Sequence, residues 1–107
     1  MTDIYRAIAD PTRRKILTLL SQNKYTQSEL VDRFTISQPA IKKHLAILEE
    51  EDLVSERREG RYRIYSLKRD NFTHHYEKLQ QEMEFILDNK LAKLKTYLEG
   101  ENDGEGH

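Results

Sequence analysis

Residues 26–57, TQSELVDRFTISQPAIKKHLAILEEEDLVSER, decide the fold, because they spell two capped helices separated by a tight turn. Thr26 and Glu29 stand at the spacing of a capping box, in which each side chain satisfies the other residue's backbone amide at a helix start. After the Thr35-Ile36 turn, Ser37 can cap a second helix, and Pro39 sits in its first turn, where a missing amide hydrogen costs little. Within that second helix Ile41, Leu45 and Leu48 recur on one side and must pack inward. Gln38, Lys42 and Lys43 are left on the solvent side. The stretch predicts a helix-turn-helix whose second helix presents a polar, cationic face.

Upstream, residues 4–9 predict a short first helix, and Asp10 caps the next one, with Pro11 in its first turn and Ile16, Leu17 and Leu20 as its apolar stripe. Residues 23–25 read as a connector. The third helix is predicted over about residues 27–34, burying Leu30, Val31 and Phe34, with Ile36 stapling against Ile41 across the start of the fourth. That fourth helix is predicted to end near Asp52. Residues 53–67, LVSERREGRYRIYSL, then change period and predict two short strands around Glu59-Gly60, the second supported by Tyr62, Ile64 and Tyr65. Arg57, Arg58, Arg61 and Arg63 give this hairpin a basic rim.

From about Asp70 to about Glu99 the helical period returns, with apolar residues at Phe72, Tyr76, Leu79, Met83, Ile86, Leu87, Leu91, Leu94 and Leu98. One long amphipathic helix is expected, too long for the rest of a 107-residue monomer to cover. The whole is expected to form one domain over residues 1–99, mainly α with a small β-hairpin, followed by a disordered acidic tail at 100–107.

Composition narrows the function classes. The chain is 36% apolar and 35% charged, which suits a solvated helical domain. It has no cysteine, so disulfides, thiolate catalysis and thiolate-held metals are excluded. No apolar run reaches membrane-spanning length and the N-terminus lacks a signal-peptide core, so no membrane partner and a cytoplasmic location are expected. The net charge of −1 hides an asymmetry: residues 1–68 carry +3 and residues 69–107 carry −4. The front of the chain is the half suited to phosphates.

The order helix, helix, helix-turn-helix, hairpin, long helix describes a winged helix, and here the chain resembles the ArsR-type family of bacterial winged-helix repressors. The resemblance is carried by Asp10-Pro11-Thr12-Arg13-Arg14 with Ile16-Leu17 and Leu19-Leu20. It continues through Ile36-Ser37-Gln38-Pro39-Ala40-Ile41 with His44-Leu45 and Leu48, Leu53-Val54, and the wing Arg57-Arg58-Glu59-Gly60-Arg61 with Tyr65. It implies a homodimer in which the first and last helices pair, placing Ile4, Ile8, Leu79, Met83, Leu87, Leu91 and Leu94 at the interface. It also implies two reading heads on a pseudo-palindromic operator of double-stranded DNA. Where the family often has Ser and His, this chain has Lys42 and Lys43, which implies stronger phosphate attraction.

Physical reasoning gives the reading residues independently. A major groove admits one helix, and side chains near its N-terminus reach base edges. Gln38 can bond an adenine through two hydrogen bonds, while Lys42 and Lys43 can reach guanine acceptors or the backbone. Ser37 is first a helix cap, with phosphate contact secondary, and Pro39 lies beside it. In the wing, Arg58 and Arg61 suit an adjacent minor groove. Arg57 and Arg63 are as well explained as charges protecting a strand edge. Arg13, Arg14 and Lys15 are candidates for backbone phosphate, with an acidic neighbour as the alternative for Arg13. The acidic run 49–52 should face away from DNA, and His44 should be partly buried or bonded to backbone.

Nothing in the sequence provides a nucleophile with its base, a phosphate-cradling glycine loop or clustered carboxylates, so an enzyme is not expected. No cofactor and no metal are expected either. The family's metal sensors use cysteines on the third helix or an Asp/His set on the last. Here the third helix has no thiol, and the residues eleven beyond His74 and His75 are Phe85 and Ile86. Release from DNA would then fall to a protein inducer, to a small apolar molecule between the helices, or to simple autoregulation by concentration, and the residues do not rank these. The rival reading is a winged-helix protein-interaction module that does not read DNA.

Overall fold

The computed structural model describes the backbone of residues 2–98 and the side chains of residues 2–88. Its elements follow in the order α1 (Ile4–Ile8), α2 (Pro11–Gln22), β1 (Tyr25–Thr26), α3 (Gln27–Val31), α4 (Gln38–Glu50), β2 (Val54–Glu59), β3 (Tyr62–Leu67) and α5 (Arg69–Leu98). The tail expected at 100–107 lies outside the described residues, as do the side chains of Leu91 and Leu94.

The predicted caps all form. Asp10 accepts from the amides of Thr12 at 2.7 Å and Arg13 at 3.3 Å. Thr26 and Glu29 make the reciprocal box at 3.1 and 2.8 Å, and Ser37 accepts from the Ala40 amide at 3.3 Å. Each satisfies amides that have no partner inside the helix. α3 is shorter than expected, because after Val31 the amides of Arg33 and Phe34 turn to the carbonyls three residues back and tighten the chain. Leu30 is buried as predicted, while Val31 and Phe34 are half-buried at the edge of the core. The expected staple is half present: Ile41 is fully buried, but Ile36 remains 37% exposed.

α4 stops at Glu50, two residues before the expected end, because Asp52 takes a left-handed φ of +62°. The Asp52 amide bonds the Glu49 carbonyl at 2.9 Å and the Leu53 amide bonds the Leu48 carbonyl at 3.1 Å. This is the Schellman arrangement, with an aspartate where glycine is usual. Leu53 and Val54 then drop into the core and start the wing.

The sheet holds a strand that the sequence reading left as connector. β1 pairs antiparallel with β3, Tyr25 opposite Tyr65 and Thr26 opposite Ile64, giving the order β1-β3-β2. The β2–β3 hairpin sets Val54 opposite Leu67, Glu56 opposite Tyr65 and Arg58 opposite Arg63. Its loop is Gly60-Arg61, with Gly60 at φ +61°, a conformation that any side chain would strain.

Ile16, Leu30, Ile41, Leu45, Leu48 and Leu53 are the large side chains wholly removed from water, and Tyr25 and Tyr65 close the core from the sheet. Ile4, expected at a pairing face between copies, is instead 5% exposed within the single chain, because the short α1 turns its apolar side inward. Glu51, also 5% exposed, accepts from the Asp3 amide at 2.6 Å and the Arg6 guanidinium at 2.7 Å, so this buried carboxylate is fully answered.

The chain divides into two units, the first running through His75 and the second beginning at Tyr76. In the first unit, the start of α5 is tied down by the Arg69 guanidinium on the Ser21 carbonyl and the Asn71 amide on the Asp52 carbonyl. In the second, Tyr76, Met83, Ile86 and Leu87 are each roughly half exposed along the helix.

Candidate nucleic-acid interface

The rotation of α4 about its axis is set from behind. With Ile41, Leu45 and Leu48 buried, Ser37, Gln38, Pro39, Lys42 and Lys43 are all exposed. His44 adds a polar tie. Its Nδ1 lies 3.1 Å from the Arg13 guanidinium, which can only donate, so Nδ1 is the acceptor and Nε2 faces the Asp10 carboxylate at 3.9 Å. Asp10 feels burial pushing its pKa up, but the amides of Thr12 and Arg13 and the electrostatic influence of the neighbouring His44 and Arg13 side chains together hold it below the usual value. The cap of α2 and the middle of α4 are thus one network.

The basic start of α2 is occupied within the chain. Arg13 Nε reaches the Ala7 carbonyl at 3.2 Å and Nη2 the Arg6 carbonyl at 2.9 Å. Arg14 donates to the Ile8 carbonyl at 2.6 Å. Lys15 donates to the Arg33 carbonyl at 3.2 Å with its ammonium over the Phe34 ring. These cations satisfy carbonyls at and beyond the ends of α1 and α3.

The four arginines of the wing separate into two kinds. Arg57 pairs with Glu59 at 2.6 Å, and Arg63 pairs with Glu56 at 3.4 Å. Glu56 also accepts from the Tyr65 hydroxyl at 3.0 Å. Burial, then that contact with Glu56, pushes the Tyr65 hydroxyl up to about 12. Burial and the nearby charge of Glu56 raise Glu49 in turn. Arg58 and Arg61 have no carboxylate partner among the described residues, and neither have Lys42 and Lys43; Arg61 lies over the Tyr62 ring.

Lys42, Arg58 and Arg61 converge. They line a polar cleft of about 300 Å³ together with Thr26, Gln27, Ser28, Tyr62 and Arg63. Ser37, Gln38, Pro39 and Lys43 lie on α4 outside that lining. Gln27, Ser28 and Tyr62 also line the cleft, because β1 pairs with β3 and brings the head of α3 to the wing; nothing local in the sequence signals that placement. Of the acidic run, Glu50 and Glu51 are engaged by Arg6 at 3.0 and 2.7 Å and Asp52 by Lys68. His74 and His75 meet edge to face, and among the described residues no group of three or more metal-ligating side chains comes together.

Residues 10–56 match the sequence model of the bacterial regulatory proteins of the arsR family. Across a longer stretch, the transcriptional repressor SdpR of Bacillus subtilis strain 168 is 43% identical over 67 residues, 63% of this chain and 74% of that protein. This chain belongs to the arsR family. Another arsR-type relative, the arsenical resistance operon repressor of Staphylococcus xylosus, is 31% identical over 70 residues, 65% of this chain and 67% of that one. The solved structure of an ArsR-like transcriptional regulator from Rhodococcus sp. RHA1 superposes with a TM-score of 0.75 at 30% identity, covering 92% of this chain and 89% of that one. As an arsR-family protein the chain is a DNA-binding transcriptional regulator and not an enzyme. The winged-helix resemblance drawn from the sequence is upheld.

Proposed function

We propose that this arsR-family chain is a homodimeric repressor that sets α4 into successive major grooves of a pseudo-palindromic operator, with the wing on the flanking backbone. The observation that carries this reading is the convergence of Lys42, Arg58 and Arg61, none paired with a carboxylate among the described residues, beside a reading helix whose Gln38 and Lys43 are exposed. Gln38 reads a base edge, and the cations neutralise phosphates. SdpR and the Staphylococcus xylosus protein are named as repressors, which supports repression rather than activation here. No described helix is long and apolar enough to cross a membrane, in keeping with action in the cytoplasm.

Pairing of two copies through α1 and α5 is supported by the apolar positions Ile8, Leu79, Met83, Leu87, Leu91 and Leu94. In the single chain Met83 is 47% and Leu87 56% exposed. Half-sites then lie about one helical turn apart, roughly 34–36 Å. A protein or small-molecule inducer releases the complex.

A mobility-shift assay on the DNA upstream of the protein's own gene, beside sedimentation of the free protein, tests both parts. A dimer that retards the fragment and weakens with salt is expected. Leu87→Glu should bury a charge at the seam and give monomers. A dimer that shifts no DNA at low salt ends the operator reading in favour of a protein-interaction module. A native monomer, or a dimer indifferent to Leu87→Glu, ends the α5 pairing.

A further inference from the structure

Arg58 and Arg63 stand directly opposite each other on β2 and β3. Like charges in that position repel, and each cross-strand pair of this kind weakens a sheet. Only one of the two is answered inside the chain: Glu56 takes Arg63, and Arg58 has no carboxylate among the described residues. Both face the cleft that also receives Lys42 from α4 and Arg61 from the loop, and none of the eight lining residues is acidic. Four cations therefore border one small polar space with a single internal counterion among them. Gln27, Ser28 and Tyr62 add neutral side-chain donors at the rim.

We propose that this cleft seats one phosphate of the DNA backbone, held from one side by Lys42 of the reading helix and from the other by Arg58 of the wing. The inference rests on the DNA-binding reading and adds that helix and wing share a phosphate instead of gripping separate ones. A shared anion ties the depth of α4 in its groove to the position of the hairpin. It also gives Arg58 the counterion that the sheet withholds. Gln27 and Ser28 complete the seat, so the head of α3 is part of the interface.

Sharing is measurable, because the salt dependence of binding counts phosphates and not cations. Lys42→Gln, Arg58→Gln and the double variant, each as the full chain, would be titrated with a short duplex of arbitrary sequence and with the upstream fragment over a range of salt. With one shared phosphate, the double variant flattens the slope of log K against log salt by about 0.9 relative to the native chain. Its affinity loss is then clearly different from the sum of the two single losses. Two separate phosphates would flatten the slope by about 1.8 with additive losses, which overturns the shared seat and leaves DNA binding intact. No change in slope in any variant overturns it as well. A native protein that binds neither duplex at low salt condemns the DNA reading itself.

Two further arms read thermal stability instead of the salt slope. Removing a repelling charge, Arg58→Gln should leave the Tm of the free protein equal or higher; a lower Tm would mean that Arg58 answers a need inside the chain, and the proposal fails. Inorganic phosphate at matched ionic strength should not raise the Tm, whereas duplex should. A rise with inorganic phosphate that Lys42→Gln/Arg58→Gln abolishes would assign the cleft to a free anion and overturn the backbone seat.

Discussion

Arg13, Arg14 and Lys15 at the head of α2 and Lys42, Arg58 and Arg61 across the reading helix and wing are two equally basic groups. The first group gives its donors to the chain's own carbonyls, on Arg6, Ala7, Ile8 and Arg33. The second group has no carboxylate partner among the described residues and opens on one cleft. Density of charge along the sequence therefore does not separate the two groups. What separates them is where the donors are left over once helix ends and carboxylates have been served.

The contrast can be broken most directly at Arg13. Its guanidinium answers two carbonyls and the His44 ring, so Arg13→Ala should cost about 2–3 kcal/mol in urea-induced unfolding while the salt slope of DNA binding stays put. A stable variant with a flattened slope would move Arg13 into the second group. On the reading side, Gln38→Ala should lose about 2 kcal/mol of discrimination at a single base position and spare binding to arbitrary duplex. A uniform loss over all sequences would reduce Gln38 to a positioning contact.

Ser37 straddles the two groups, since its hydroxyl is both a cap and close to any bound duplex. Ser37→Ala should lower stability by about 1 kcal/mol with the salt slope unchanged; a stable variant with weakened binding would reverse that assignment. The smallest effect is expected in the last turn of α4, beside Glu56 of the wing. Burial, then the charge of Glu56, raises the pKa of Glu49, so the folded chain holds this proton more tightly than the unfolded chain does. Ionised Glu49 therefore opposes folding above its raised pKa, and the penalty is relieved as pH falls through that value towards the ordinary one. Glu49→Gln should be more stable at neutral pH by about 0.5 kcal/mol after solvent screening, the advantage closing on acidification. An advantage that persists at low pH would point to packing rather than charge.

Much of the framework was legible because it is local. The caps at Asp10, Thr26 and Ser37, the stripe Ile41, Leu45 and Leu48, and the glycine loop of the hairpin are written within a few residues of the elements that they control. β1 was not legible, since two residues carry no period and Thr26 also serves as a helix cap. Ile4, which the family resemblance sets at the pairing face, is buried within the single chain, a placement that the resemblance alone does not reveal. In the wing, the sequence singles out Arg58 and Arg61; Arg57 and Arg63 have carboxylate partners in the structure, although Arg63 also lines the cleft. The sequence did not reveal Gln27, Ser28 or Tyr62, which meet the wing only through a sheet whose third strand it had missed. Nor did it foresee His44 bridging to Arg13 and Asp10, a contact between residues 31 or more positions apart.

The left-handed turn at Asp52 that follows α4 has a consequence for spacing. Between the left-handed turn and the first wing strand the chain has no slack: Leu53 is locked into the core and Val54 already pairs with Leu67. One extra residue there would slip β2 by a single position and exchange its two faces. Arg57 would swing toward the cleft with Glu59 still attached, and Arg58 would look the other way. The gauge between reader and wing is thus a single residue wide.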